Sequence, residues 1–134
     1  MVKTVFVFLC LLAGTFSYSQ NLKFQLSSHV LDITTGKPAA GIKVKLEKLK
    51  DDKSWENIEE KITDDNGRIG DFLPAVKENK GIYKIIFYTG EYFKQQKVST
   101  FYPYIEVVFN ISDQKHYHVP ITLSPYGYST YKGS

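Results

Sequence analysis

The amino-acid sequence predicts an all-β sandwich of two sheets, with about eight strands and one short helix. Three observations carry that expectation. Tyr, Phe, Val, Ile and Thr are abundant, with aromatics at 15% of the 134 residues, and such side chains suit a pleated, half-buried surface. The apolar residues fall in short runs of period two, the spacing that lays one face of a strand on a core. Between the runs stand clusters of Gly, Pro, Asn and Asp that reverse the chain.

The elements follow in order. Leu22, Phe24, Leu26 and Ser28 alternate with Lys23, Gln25 and Ser27, a first strand. Thr35-Gly36-Lys37-Pro38 reads as a loop. Ile42, Val44 and Leu46 alternate with Lys43, Lys45 and Glu47, a half-buried strand. Asp51-Asp52-Lys53 turns the chain into a polar strand from Trp55 to about Ile62, expected at an edge. Asp65-Asn66-Gly67 is a tight-turn signal, because Asn-Gly accepts positive φ at little cost, and Arg68 opens the strand after it. Gly81–Thr89 is apolar on both faces and so expected to be central. Gly90–Lys97 is the one helical stretch, about two turns. Tyr104–Ile111, Tyr117–Leu123 and Tyr126–Lys132 complete the strands.

Residues 1–19 read as a secretory signal and residues 20–134 as one domain. Lys3 supplies the positive start, Val5–Ala13 the apolar stretch, and Ser17-Tyr18-Ser19 small residues for a cleavage site. The apolar stretch is short for a membrane span, so an exported protein, periplasmic or secreted, is expected rather than a tethered one. Cys10, the single cysteine, lies inside this segment, and the large Phe8 and Leu9 before it disfavour lipidation. The mature domain then has no disulfide and no thiol chemistry.

The net charge of +3 is mild and its lysines are scattered, which gives no footprint for nucleic acid. Arg68 is the only arginine; a single planar, bidentate fork among many lysines either marks a position where that geometry is wanted or reflects a lysine-rich composition. His116 and His118 share strand parity and emerge on one face, while Tyr117, Val119 and Ile121 take the core face. A His-x-His pair can chelate zinc, but a catalytic site needs a third ligand. His29 is the only other histidine, so a metal is a weaker expectation than a pair of solvated surface histidines. Ser134, the last residue, lacks the context of a nucleophilic serine.

Three segments together resemble the transthyretin-related 5-hydroxyisourate hydrolases: LSSHVLDITTGKPAAGIKV from Leu26, ITDDNGRIG from Ile62, and the terminal HYHVPITLSPYGYSTYKGS. The resemblance spans essentially the whole mature chain. It implies a transthyretin-like sandwich assembled as a homotetramer, with active sites at a subunit interface. It also implies hydrolytic ring opening of 5-hydroxyisourate, a small molecule of urate degradation, without a metal or organic cofactor. Matched residue by residue, it assigns catalytic roles to His29, Arg68 and His118, and substrate contacts to His29, Arg68, Tyr131 and Ser134. His116 is then peripheral. The family closes with Tyr-Arg-Gly-Ser, and here Lys132 stands in place of that arginine. A rival reading is a non-catalytic carrier of transthyretin type or a secreted binding module, which would leave His118 and the closing tetrapeptide without a role.

Overall fold

A computed structural model describes residues 23–134. The expected secretory segment and Cys10 lie outside the described residues. Nine strands and one helix follow in order: β1 Phe24–Asp32, β2 Lys37–Pro38, β3 Lys43–Leu49, β4 Trp55–Ile62, β5 Arg68–Pro74, β6 Gly81–Phe87, α1 Thr89–Gln95, β7 Ile105–Ile111, β8 Tyr117–Ser124 and β9 Gly127–Thr130.

Two sheets pack face to face. One runs β2-β1-β8-β9, with β5 also paired to β1; the other runs β4-β3-β6-β7. Leu26 and Val30 from β1, Val119, Ile121 and Leu123 from β8, and Val44, Leu46, Ile85 and Phe87 from the facing sheet form the buried core between them. The alternation read in the sequence thus becomes one dry face per strand. Trp55 lies on β4 at a sheet edge and β6 lies in the interior of its sheet, both as expected.

Small differences have local causes. Lys37 and Pro38, expected in a loop, pair with Asp32 and Leu31 as the short strand β2, because Gly36 at φ 71° lets the chain fold straight back. The strand expected to reach Thr89 stops at Phe87, and the helix begins at Thr89 rather than Gly90. Lys97 adopts φ 58° and ends the helical path, the left-handed geometry common just past a helix. β9 ends at Thr130, but a bridge between Gly133 and His118 continues its register.

What positions the site is the place of β1 inside its sheet. β5 pairs antiparallel on one side, matching Arg68 to His29, and β8 runs parallel on the other, matching His118 to Ser27 and Pro120 to His29. Residues two apart in sequence share a face, and paired residues sit side by side. Two adjacent rungs therefore cross the outer face of this sheet. One contains Arg68, His29 and Pro120; the other contains Ser27, His118 and Gly133.

Candidate active site

Arg68 owes its place to the turn before it. The Asp64 carboxylate accepts from the backbone N–H of Asn66 and of Arg68, both at 2.9 Å, while the Gly67 N–H donates to the Asp64 carbonyl at 2.8 Å. Gly67 sits at φ 69°, and a Cβ there would lie 2.5 Å from the Val30 carbonyl oxygen. That oxygen takes the Ala39 N–H, while the Gly67 carbonyl takes the Val30 N–H at 2.9 Å. Only glycine satisfies both the backbone angle and this close approach. Arg68 is exposed, and its guanidinium makes no ion pair among the described residues.

His29 points outward between the buried Ser28 and Val30. Burial pushes its ring below the ordinary value of 6.5 and the Arg68 charge adds to this, against the opposing pull of the Asn66 backbone and Asp64. His118 is partly buried and shifted in the same direction. Burial is again the main cause, followed by the charges of Arg68, His29 and His116. Both rings thus stay neutral to lower pH than a free histidine, the form that can accept a proton.

Hydrogen bonds hold the His118 ring. Its Nδ1 lies 2.8 Å from the Ser27 hydroxyl, which lies 2.9 Å from Nε2 of His116. The other His116 nitrogen, Nδ1, meets the Phe24 carbonyl at 3.0 Å. His116 is therefore tied to His118 through Ser27 rather than peripheral. Nε2 of His118 has no hydrogen-bond partner among the described residues. On the opposite strand the Gly133 N–H donates to the His118 carbonyl at 2.8 Å, and the ring packs across the space that a Gly133 side chain would fill.

The structure brings His29, Arg68 and His118 to one face. Tyr131 follows the same register to a place beside Pro120 and is exposed. Ser134, next to Gly133, is exposed and makes no hydrogen bond among the described residues. Lys132 points the other way, with its ammonium 5.6 Å above the Tyr117 ring. That ring borders a concavity of about 260 Å³ also lined by Val107, Phe109, Val119, Tyr131 and Lys132. The concavity contains none of the three outward residues, of which Arg68 is exposed and His29 and His118 are half-buried. Among the described residues no three His, Cys, Asp or Glu side chains gather as metal ligands.

Ser27, Asp64 and Gly133 are the positions that sequence reasoning did not single out. Ser27 carried a signal, since it stands two residues before His29 and so shares its face. Asp64 and Gly133 had none as strong, because their roles depend on neighbours that pairing supplies.

A two-sheet sandwich whose outer face gathers two histidines and an arginine defines a transthyretin-like protein with a candidate hydrolytic site. The family model described as HIUase/Transthyretin matches residues 26–133, and the chain belongs to that family. It is 50% identical over 110 residues to the 5-hydroxyisourate hydrolase of Salmonella dublin, covering 81% of this chain and 80% of the relative. The 5-hydroxyisourate hydrolase structure from Klebsiella pneumoniae is similar at a TM-score of 0.72 and 35% identity, over 81% of this chain and 98% of that one. Sea bream transthyretin in complex with thyroxine reaches a TM-score of 0.78 at 29% identity, over 81% and 94%. Shape alone thus leans toward the thyroxine-bound transthyretin and identity toward the hydrolases. The side chains of the site carry more weight than backbone shape, because one fold hosts unrelated functions.

Proposed function

We propose that this protein is a hydrolase of 5-hydroxyisourate, opening a ring amide of that small molecule to give 2-oxo-4-hydroxy-4-carboxy-5-ureidoimidazoline. The observation that carries the reading is the gathering on one face of His118, held below the ordinary histidine value by burial and with no hydrogen bond to Nε2 among the described residues, and Arg68, which makes no ion pair among them. A water held at Nε2 of His118 gives up its proton as its oxygen bonds to the ring carbonyl carbon. The carbonyl electrons move onto oxygen, and the Arg68 guanidinium donates to that oxygen as charge develops. The C–N bond then breaks and the ring nitrogen takes the proton back from His118. One water is added and the enzyme is restored.

His29, on the rung beside His118 and paired to Arg68, is a neutral donor or acceptor for the polar edge of the ring and for the attacking water. Tyr131 and Ser134 line the substrate from the terminal segment. Arg68 is exposed and the two histidines are only half-buried, and such a site excludes water poorly, which supports closure by a second subunit of a homotetramer. The exposed aromatic residues Phe101, Tyr126, Tyr128 and Tyr131 suit such an assembly, since large apolar patches mark association surfaces. The apolar segment Val5–Ala13 supports export of the mature protein.

The likeness to a thyroxine-bound transthyretin favours one second reading, a carrier that binds a small aromatic ligand without chemistry. A carrier has no need of half-buried histidines and an exposed arginine gathered on one sheet face. The test is the decay of 5-hydroxyisourate generated in situ from urate by urate oxidase and followed by ultraviolet absorbance. His118→Ala and Arg68→Ala are each expected to lose about a hundredfold or more of the acceleration with the assembly intact. A near-native rate in either variant removes that residue's role.

A further inference from the structure

We propose that His116, acting through Ser27, is a positioning residue that fixes the tautomer of His118. The inference rests on the hydrolase reading with His118 as base, and its own observation is a chain of three hydrogen bonds. The chain runs from the Phe24 carbonyl to His116 Nδ1 at 3.0 Å, from His116 Nε2 to the Ser27 hydroxyl at 2.9 Å, and from that hydroxyl to His118 Nδ1 at 2.8 Å.

The donors in that chain can be assigned by elimination. A backbone carbonyl only accepts, so His116 Nδ1 bears a hydrogen. In a neutral His116 ring Nε2 is then bare and must accept, and the Ser27 hydroxyl donates to it. A hydroxyl has one hydrogen. With that hydrogen spent on His116, Ser27 Oγ meets His118 as an acceptor, and His118 Nδ1 must carry the donating hydrogen. Nε2 of His118 is left with a lone pair, as a general base requires. The opposite sense, with Ser27 donating to His118, needs hydrogens on both His116 nitrogens. That cationic ring would add a positive charge to the neighbourhood of His118, where Arg68 and His29 already disfavour charge.

A free neutral histidine in water prefers the Nε2–H form, which would leave the base pointing at Ser27 rather than at substrate. The chain reverses that preference. It also suits the reaction as it proceeds. When His118 takes a proton from water its Nδ1–H continues to donate to Ser27, so no group has to turn over in the transition state. Ser27 is well placed to act in this way, because it lies on β1 and pairs through its backbone with His118 itself.

The experiment compares Ser27→Ala, Ser27→Thr and His116→Phe with the wild-type full-length protein by two readouts. Steady-state kinetics with 5-hydroxyisourate separates kcat from KM, and nitrogen NMR of 15N-labelled protein reads which His118 nitrogen bears hydrogen. The wild type is expected to show a protonated Nδ1 and a bare Nε2. Ser27→Ala and His116→Phe are expected to shift His118 toward the Nε2–H form and to lower kcat at least about tenfold, with KM within about twofold. Ser27→Thr keeps the hydroxyl and is expected to recover most of the rate and the wild-type tautomer. A wild-type His118 already in the Nε2–H form overturns the proposal, as does an unchanged tautomer in both Ser27→Ala and His116→Phe. If the wild type does not accelerate decay of 5-hydroxyisourate at all, the hydrolase reading falls, and the NMR arm still decides the relay.

Discussion

Gly133 and His118 are locked together from both sides of the terminal strand. The Gly133 N–H donates to the His118 carbonyl at 2.8 Å, and a Cβ built on Gly133 would lie 2.5 Å from ring carbon Cδ2 and 3.1 Å from Cβ and Cγ. The clash is with the root of the imidazole and the Cβ that carries it rather than with the loose end of a side chain. The penultimate glycine therefore sets where the proposed base stands.

Gly133→Ala is expected to push the ring off its Ser27 contact and lower the hydrolytic rate at least about tenfold, a displacement effect on a positioned catalytic group. Global stability should change little, by about 1 kcal/mol or less, because Gly133 is not in the core. Parallel rate and thermal-melting measurements check this. A wild-type rate in the alanine variant would show that the ring's place does not depend on the glycine.

The pH dependence has a definite sign. His118 and His29 are both shifted below 6.5, chiefly by burial and next by Arg68. The acid limb of kcat/KM is thus expected to have its midpoint below 6.5. Stability runs the same way. Between the folded values and 6.5 the unfolded chain binds more protons than the folded one, so stability falls as pH is lowered through that window. Melting curves between about pH 7 and pH 5 should show a shallower decline for His118→Ala than for the wild type. An acid limb centred above 6.5 would contradict the burial argument.

Lys132 is expected to matter less to chemistry than its place in the closing tetrapeptide suggests. Its ammonium lies over the Tyr117 ring, on the opposite side of the strand from the outward His118. Arginine can occupy the same cation–π position. Lys132→Arg should leave kcat and KM within about twofold. A large gain in substrate affinity on restoring arginine would mean that the side chain reaches substrate after all.

Most of the fold was legible in the sequence because alternation and turn chemistry are local. Ile42-Val44-Leu46 announces its own buried face, and Asp65-Asn66-Gly67 its own reversal. The exceptions lie where pairing overrides local preference, as at Lys37–Pro38, which form a strand only because β1 offers an edge. The site was legible in part. His29, Arg68 and His118 were named by resemblance, and strand parity put His116 and His118 on one face. Strand parity could not place Ser27 against His118, because that contact depends on the parallel pairing of segments 91 residues apart. The use of Gly133 as space for a ring was hidden because it depends on the antiparallel bridge that sets the terminal segment against His118.

The decay of 5-hydroxyisourate in the presence of the purified wild-type protein is the most direct measurement. Substrate formed in situ from urate by urate oxidase should disappear faster than it does spontaneously, in proportion to the protein added and to sub-stoichiometric amounts of it. Decay at the spontaneous rate, however much protein is present, would contradict the assignment of this face as a hydrolytic site.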